Sequence, residues 1–70
     1  MYTEAETAEA LALLARAEEN LKTWPAGPAR ERAERGCRSI RRGLDTTRGT
    51  ERSRRFDITY GYRDLVIVLG

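Results

Sequence analysis

At 70 residues the chain has room for one domain, and a domain of that size buries only about 60% of the surface its unfolded chain exposes. It contains no histidine and a single cysteine, Cys37, which excludes an intrachain disulfide and a zinc site as substitutes for a larger core. The formal net charge of +2 hides an uneven distribution: residues 1–27 are acidic, residues 28–56 carry ten arginines, and residues 57–70 are almost neutral.

The first predicted element is a helix over residues 3–23, rich in Ala, Leu, Glu and Arg. Thr3 or Thr7 is the candidate cap. Glu4, Glu6 and Glu9 suit the positive end of the helix dipole, and Lys22 the negative end. Ala10, Leu11, Leu14, Ala17 and Leu21 recur at helical spacing, Leu13 widens the stripe, and Trp24 closes it as a core plug. Ala5, Ala8, Ala12 and Ala15 make the rest of the surface smooth.

Trp24-Pro-Ala-Gly-Pro28 is a short connector, since a proline biases the preceding residue away from helix. Pro28 also suits the first turn of a second helix, predicted over 28–42 and antiparallel to the first. Ala29, Ala33, Gly36, Cys37, Ile40 and Leu44 share one face, and their small size permits close packing. Gly36 weakens a helix by about 1 kcal/mol relative to Ala, which implies a packing reason for it. Gly43 suits a left-handed cap at the helix end. Cys37 among arginines reads as a buried small residue rather than a reactive thiol.

Residues 45–53 lack apolar side chains and periodicity and read as a loop. Strands are predicted over 54–60, from the alternation Phe56, Ile58, Tyr60, and over 65–69, from the run Leu65-Val66-Ile67-Val68-Leu69. Gly61-Tyr-Arg-Asp64 is the turn between them. The expected fold class is therefore α+β: a single domain, 1–70, with a two-helix antiparallel hairpin followed by a C-terminal β-hairpin. Five consecutive large aliphatics suggest a strand covered on both faces, and two helices cover only one. The sheet is thus expected to be completed by a second chain.

Functional expectations follow from these surfaces. The leading one is a small non-enzymatic protein-interaction module, a stoichiometric inhibitor or assembly adaptor, acting as a homodimer through its C-terminal strand. Leu65, Val66, Ile67, Val68, Leu69, Tyr60 and Tyr62 are the expected self-association or partner residues. Very short, partner-dependent chains are common among bacteriophage and mobile-element products, a class-level analogy that rests on no motif. The alternative is a nucleic-acid-binding module using segment 30–55. Its candidate contacts, to nucleic acid or to an acidic partner, are Arg38, Arg41, Arg42, Arg48, Arg52, Arg54 and Arg55. No helix-turn-helix, zinc-finger or RNA-binding signature accompanies them.

Catalysis has little inventory: no histidine base, no Gly-rich phosphate loop and no nucleophile elbow. Asp57 and Asp64 are expected near the hairpin turn, in turn formation or paired with Arg54, Arg55 or Arg63. No catalytic residue, metal or cofactor is expected. The longest apolar run has five residues, against the roughly 20 that span a bilayer, and the first residues lack a signal-peptide pattern. A cytoplasmic protein with no membrane partner is the resulting expectation.

Overall fold

The computed structural model describes residues 4–70, which form three helices and no strand: α1, Glu4–Leu21; α2, Pro28–Leu44; and α3, Glu51–Leu69. Residues 1–3, including Tyr2 and the candidate cap Thr3, lie outside the described residues. Thr7 lies inside α1, so it is not the cap. The first two helices are those expected, α2 running two residues further. Pro28 stands at the start of α2, as its fixed φ favours.

The C-terminal β-hairpin is overturned. Residues 54–60 and 65–69, read as strands, and Gly61–Asp64, read as their turn, are consecutive turns of α3. Among the described residues there is accordingly no sheet for a second chain to complete, and their architecture is a three-helix bundle rather than α+β. The loop is also shorter than expected, because Thr50 caps α3 and Glu51 opens it. Thr50 Oγ1 accepts the Ser53 N–H at 3.1 Å, and Ser53 Oγ accepts the Thr50 N–H at 3.1 Å. This reciprocal capping box satisfies two donors that a helix start otherwise leaves unpaired.

Tertiary packing overrides local preference in α3. The β-branched residues Ile58, Val66, Ile67 and Val68 each lose at most about 0.7 kcal/mol relative to alanine in a helix. As a helix, the segment places Ile58, Gly61 and Leu65 on one buried face. They join Ala10, Leu14 and Ala17 of α1 and Ala33, Cys37 and Ile40 of α2 in one core. Leu13, Leu21, Trp24, Leu44, Tyr62, Val68 and Leu69 pack around it, so Trp24 does act as a plug at the edge.

The most extensive helix contact is between α2 and α3, and glycines set its distance. A methyl group added at Gly61 would lie 2.6 Å from the Gly36 carbonyl oxygen and 2.6 Å from Ile40 Cγ1. One added at Gly43 would lie 2.6 Å from the Arg54 carbonyl oxygen. Gly43 is therefore a buried residue of the last helical turn rather than a left-handed cap, and Gly61 is a contact residue rather than a turn residue. The small face of α2 does permit close packing, but the helix that comes closest is α3.

Polar bonds tie the same pair. Ser39 Oγ donates to the Asp57 carbonyl oxygen at 2.6 Å. Arg35 faces Asp64 at 3.6 Å and Arg42 faces Asp57 at 3.9 Å. On α1, Glu18 pairs with Arg41. Arg30 reaches the far end of α1 and donates to the carbonyls of Leu21, at 3.1 Å, and Trp24. It thereby satisfies acceptors at the negative end of that helix, a role that Lys22 does not take, since it pairs with Glu19 at 2.9 Å.

Candidate interaction face

Helix geometry divides the terminal aliphatic run that the sequence presented as one block. Leu65 is completely buried in the core of its own chain, whereas Val66 is 44% and Ile67 63% exposed. Val68 and Leu69 are half-buried against the core. Tyr60 is 58% exposed and Tyr62 half-buried, so the seven expected partner residues do not form one surface.

A different grouping does. At 100° per residue, positions 52, 56, 60, 63 and 67 of α3 fall along one outward stripe. It reads Arg52, Phe56, Tyr60, Arg63, Ile67, with Thr59 and Val66 beside it, and every one of these residues is exposed. Phe56 and Tyr60 stack along the helix, ring centroids 6.1 Å apart and planes 17° from parallel. Four of the five exposed large hydrophobics of the described chain, Phe56, Tyr60, Val66 and Ile67, belong to this one helix; the fifth is Leu11 on α1. Phe56 is not among the residues expected from the sequence to meet a partner. The spacing Ile58, Tyr62, Leu65, Leu69, together with the Thr50-x-x-Ser53 box, carried the helical signal.

The arginines are dispersed. Arg41 is paired with Glu18, Arg42 with Asp57, and Arg48 with Asp45 at 3.8 Å. Arg54 is half-buried and donates to the carbonyls of Arg48, at 2.9 Å, and Gly49, at 3.1 Å, which ties the loop to α3. Arg38, Arg52 and Arg55 are exposed. Among the described residues, Arg52 and Arg63 have no carboxylate within ion-pair distance. The two carboxylates in the body of α3, Asp57 and Asp64, are turned toward Arg42 and Arg35 of α2. They are seven residues apart on one helix and flank no turn. The outward stripe is thus apolar and aromatic at its centre, and cationic.

A cleft of about 270 Å³ separates the N-terminal half of α1 from α3 and is lined by Glu6, Glu9, Ala10, Ile58, Thr59, Tyr62 and Arg63. Its mixed charges are Glu6 and Glu9 on one wall and Arg63 on the other.

Cys37 is 2% exposed, and burial, reinforced by the nearby Glu34 carboxylate, pushes its thiol above the ordinary value. It packs as a small apolar residue, with the thiolate disfavoured. No group of three metal-ligating side chains occurs among the described residues. No described helix is long and apolar enough to cross a membrane.

No family model matches the chain, and neither a curated relative nor a solved structure does.

Proposed function

We propose that the chain is a small, non-enzymatic protein-interaction module, an inhibitor or adaptor acting by occupancy, whose binding surface is the outward face of α3. The observation that carries this reading is the concentration of Phe56, Tyr60, Val66 and Ile67 on one helix after the bundle has closed its core. Phe56, Tyr60 and Ile67 share one helical face, and an exposed apolar helical face is what helix-in-groove recognition uses. The two arginines on the stripe favour a particular orientation and suppress wrong partners, as charges at an interface do.

The test is a differential capture from the native host with the wild-type chain, Ile67→Glu, and an Ala15→Glu control on the exposed side of α1. At least one protein is expected with the wild type and the control and absent with Ile67→Glu. An identical set for all three sinks the reading.

A nucleic-acid reading has one supporting feature: Arg52, Arg55, Phe56 and Thr59 line a shallow concavity of about 250 Å³, in which a base has an aromatic ring and cations beside it. The Arg-rich segment otherwise spends Arg41, Arg42, Arg48 and Arg54 inside the chain. Fluorescence anisotropy with single-stranded and duplex oligonucleotides at low salt decides it. Binding that weakens with salt and with Arg52→Glu supports the reading, and no binding at low salt removes it.

A further inference from the structure

The outward stripe of α3 has a direction, and its direction selects a partner. Building on α3 as the binding surface, we infer that the partner is a second copy of this chain, docked α3 against α3, antiparallel and related by a two-fold axis at Tyr60.

The first argument is the order of residues along the stripe. Antiparallel pairing about Tyr60 sets position 60 − n opposite 60 + n. Tyr60 then meets Tyr60 of the second copy. Phe56, already stacked on Tyr60 in its own helix, lies beside Arg63 of the other chain. A guanidinium over an aromatic face is attractive, and the two-fold axis makes this contact twice. Arg52 arrives beside Ile67 and the last turn of the opposing helix.

The second argument is charge. The arginines at the start of α3 have no counterpart at its end, where the last turn contains no basic residue. Its terminal carbonyls are the negative end of the helix dipole. Antiparallel docking sets Arg52 over that end in both directions. Parallel docking would stack Arg52 on Arg52 and Arg63 on Arg63, and among the described residues neither arginine has a carboxylate within ion-pair distance, Asp57 and Asp64 being held by α2. In the antiparallel pair the two Arg63 positions are offset by six residues, about 9 Å along the axis, which is close to the screening length at physiological salt.

The third argument is size. The stripe from Arg52 to Ile67 is about 22 Å long and one helix wide. That is well short of the roughly 800 Å² per partner of a stable interface. The dimer is therefore weak and reversible, and the contact is isologous, so it closes at two.

Sedimentation equilibrium of the full chain from about 10 to about 500 µM is the test. The apparent mass is expected to rise from 8.0 kDa toward twice that value. Ile67→Glu and Phe56→Ala should each move the midpoint at least about tenfold higher, with the helical circular dichroism unchanged because both side chains are exposed. Ala15→Glu should leave it in place. Orientation is read by oxidative cross-linking: Tyr60→Cys should form a disulfide dimer and Arg52→Cys should not, while the buried Cys37 stays unreactive.

A monomer throughout the range overturns the inference, as does a dimer indifferent to Ile67→Glu. Cross-linking of Arg52→Cys as fast as Tyr60→Cys overturns the antiparallel arrangement. If the chain is monomeric and still captures a host protein in an Ile67-dependent way, the second copy is excluded and the protein-interaction reading stands. If capture is also lost, both fail.

Discussion

The two faces of α3 are built from the same residue types and have opposite consequences. Leu65 and Ile67 are two positions apart, both large aliphatics, yet one is 0% exposed and the other 63%. Turned inward, Ile58, Gly61 and Leu65 close against α2 and α1 and hold the chain together. Turned outward, Phe56, Tyr60 and Ile67 lie outside that core and are more than half exposed. Hydrophobicity alone therefore does not separate a structural residue from a binding residue in a chain this short; the helical angle does.

The sharpest way to break the comparison is to truncate one residue from each face. Leu65→Ala should cost about 2–5 kcal/mol, because a fully buried leucine leaves both lost contacts and a cavity. A domain of this length has only about 4–10 kcal/mol in total, so the variant should lose a large share of its stability and melt well below the wild type. Ile67→Ala should change stability by no more than about 0.5 kcal/mol. Urea melts followed by circular dichroism measure both. Equal losses would mean that the outward face is packed too, and the binding surface proposed for α3 would disappear.

Gly61→Ala tests what holds α3 at its distance from α2. Helix propensity favours alanine by about 1 kcal/mol at an interior helical position. The new methyl group would sit 2.6 Å from a backbone carbonyl oxygen and 2.9 Å from the Ile40 backbone nitrogen, neither of which moves without moving α2. Overpacking of this kind costs about 1–3 kcal/mol, so a net loss in Tm is expected. A gain in Tm would show that the glycine contact does not set the helix separation.

How much of this was legible depends on which local signals compete. The first two helices could be read because their cues agree: an Ala/Leu stripe, Pro28 at a helix start and a Pro-Gly connector between them. In α3 the cues conflict. Phe56, Ile58 and Tyr60 alternate like a strand, Gly61 looks like a turn, and Leu65 to Leu69 is too short an apolar run for periodicity to separate strand from helix. What decides the matter is non-local: Gly36, Gly43 and Gly61 fit only if two helices cross closely, and a single helix reveals that pairing only after the other is placed. The candidate face shared this fate. The expected partner residues, Tyr60, Tyr62 and Leu65 to Leu69, mix side chains that the helix buries, Leu65 above all, with side chains that it exposes, Tyr60, Val66 and Ile67, and do not include the exposed Phe56.

Thr50→Ala probes whether the start of α3 governs both faces together. Losing the hydroxyl removes the bond to the Ser53 N–H and breaks the reciprocal box, at about 1 kcal/mol. Hydrogen exchange should rise in the first turn of α3, near Ser53 and Arg54, and leave the amides around Leu65 protected. Uniform loss of protection along α3 would mean that the helix opens as one unit and that its two faces are not separable.

The smallest effect expected is at the turn that delivers the chain to Thr50. Asp45 Oδ1 accepts from Thr47 Oγ1 at 2.6 Å and from the Thr47 N–H at 3.0 Å, and Arg48 faces the other oxygen. The Thr47 hydroxyl and then the Thr47 N–H hold the carboxyl below its ordinary value of 3.8; desolvation opposes them, and the charges of Arg48 and Arg54 add lesser lowering effects. A folded-state value below the unfolded one means that the carboxylate form favours the fold. The contribution is present above the unfolded value and is lost as pH falls from about 4 through the lowered folded value. Asp45→Asn keeps an acceptor for Thr47 and removes the charge. Its Tm should lie slightly below wild type near pH 7 and meet the wild-type curve once the pH has fallen through the lowered folded-state value. A constant offset across the whole acid range would assign the effect to the shape of the amide rather than to the carboxylate. The charge of Asp45 would then play no part in how the turn presents α3.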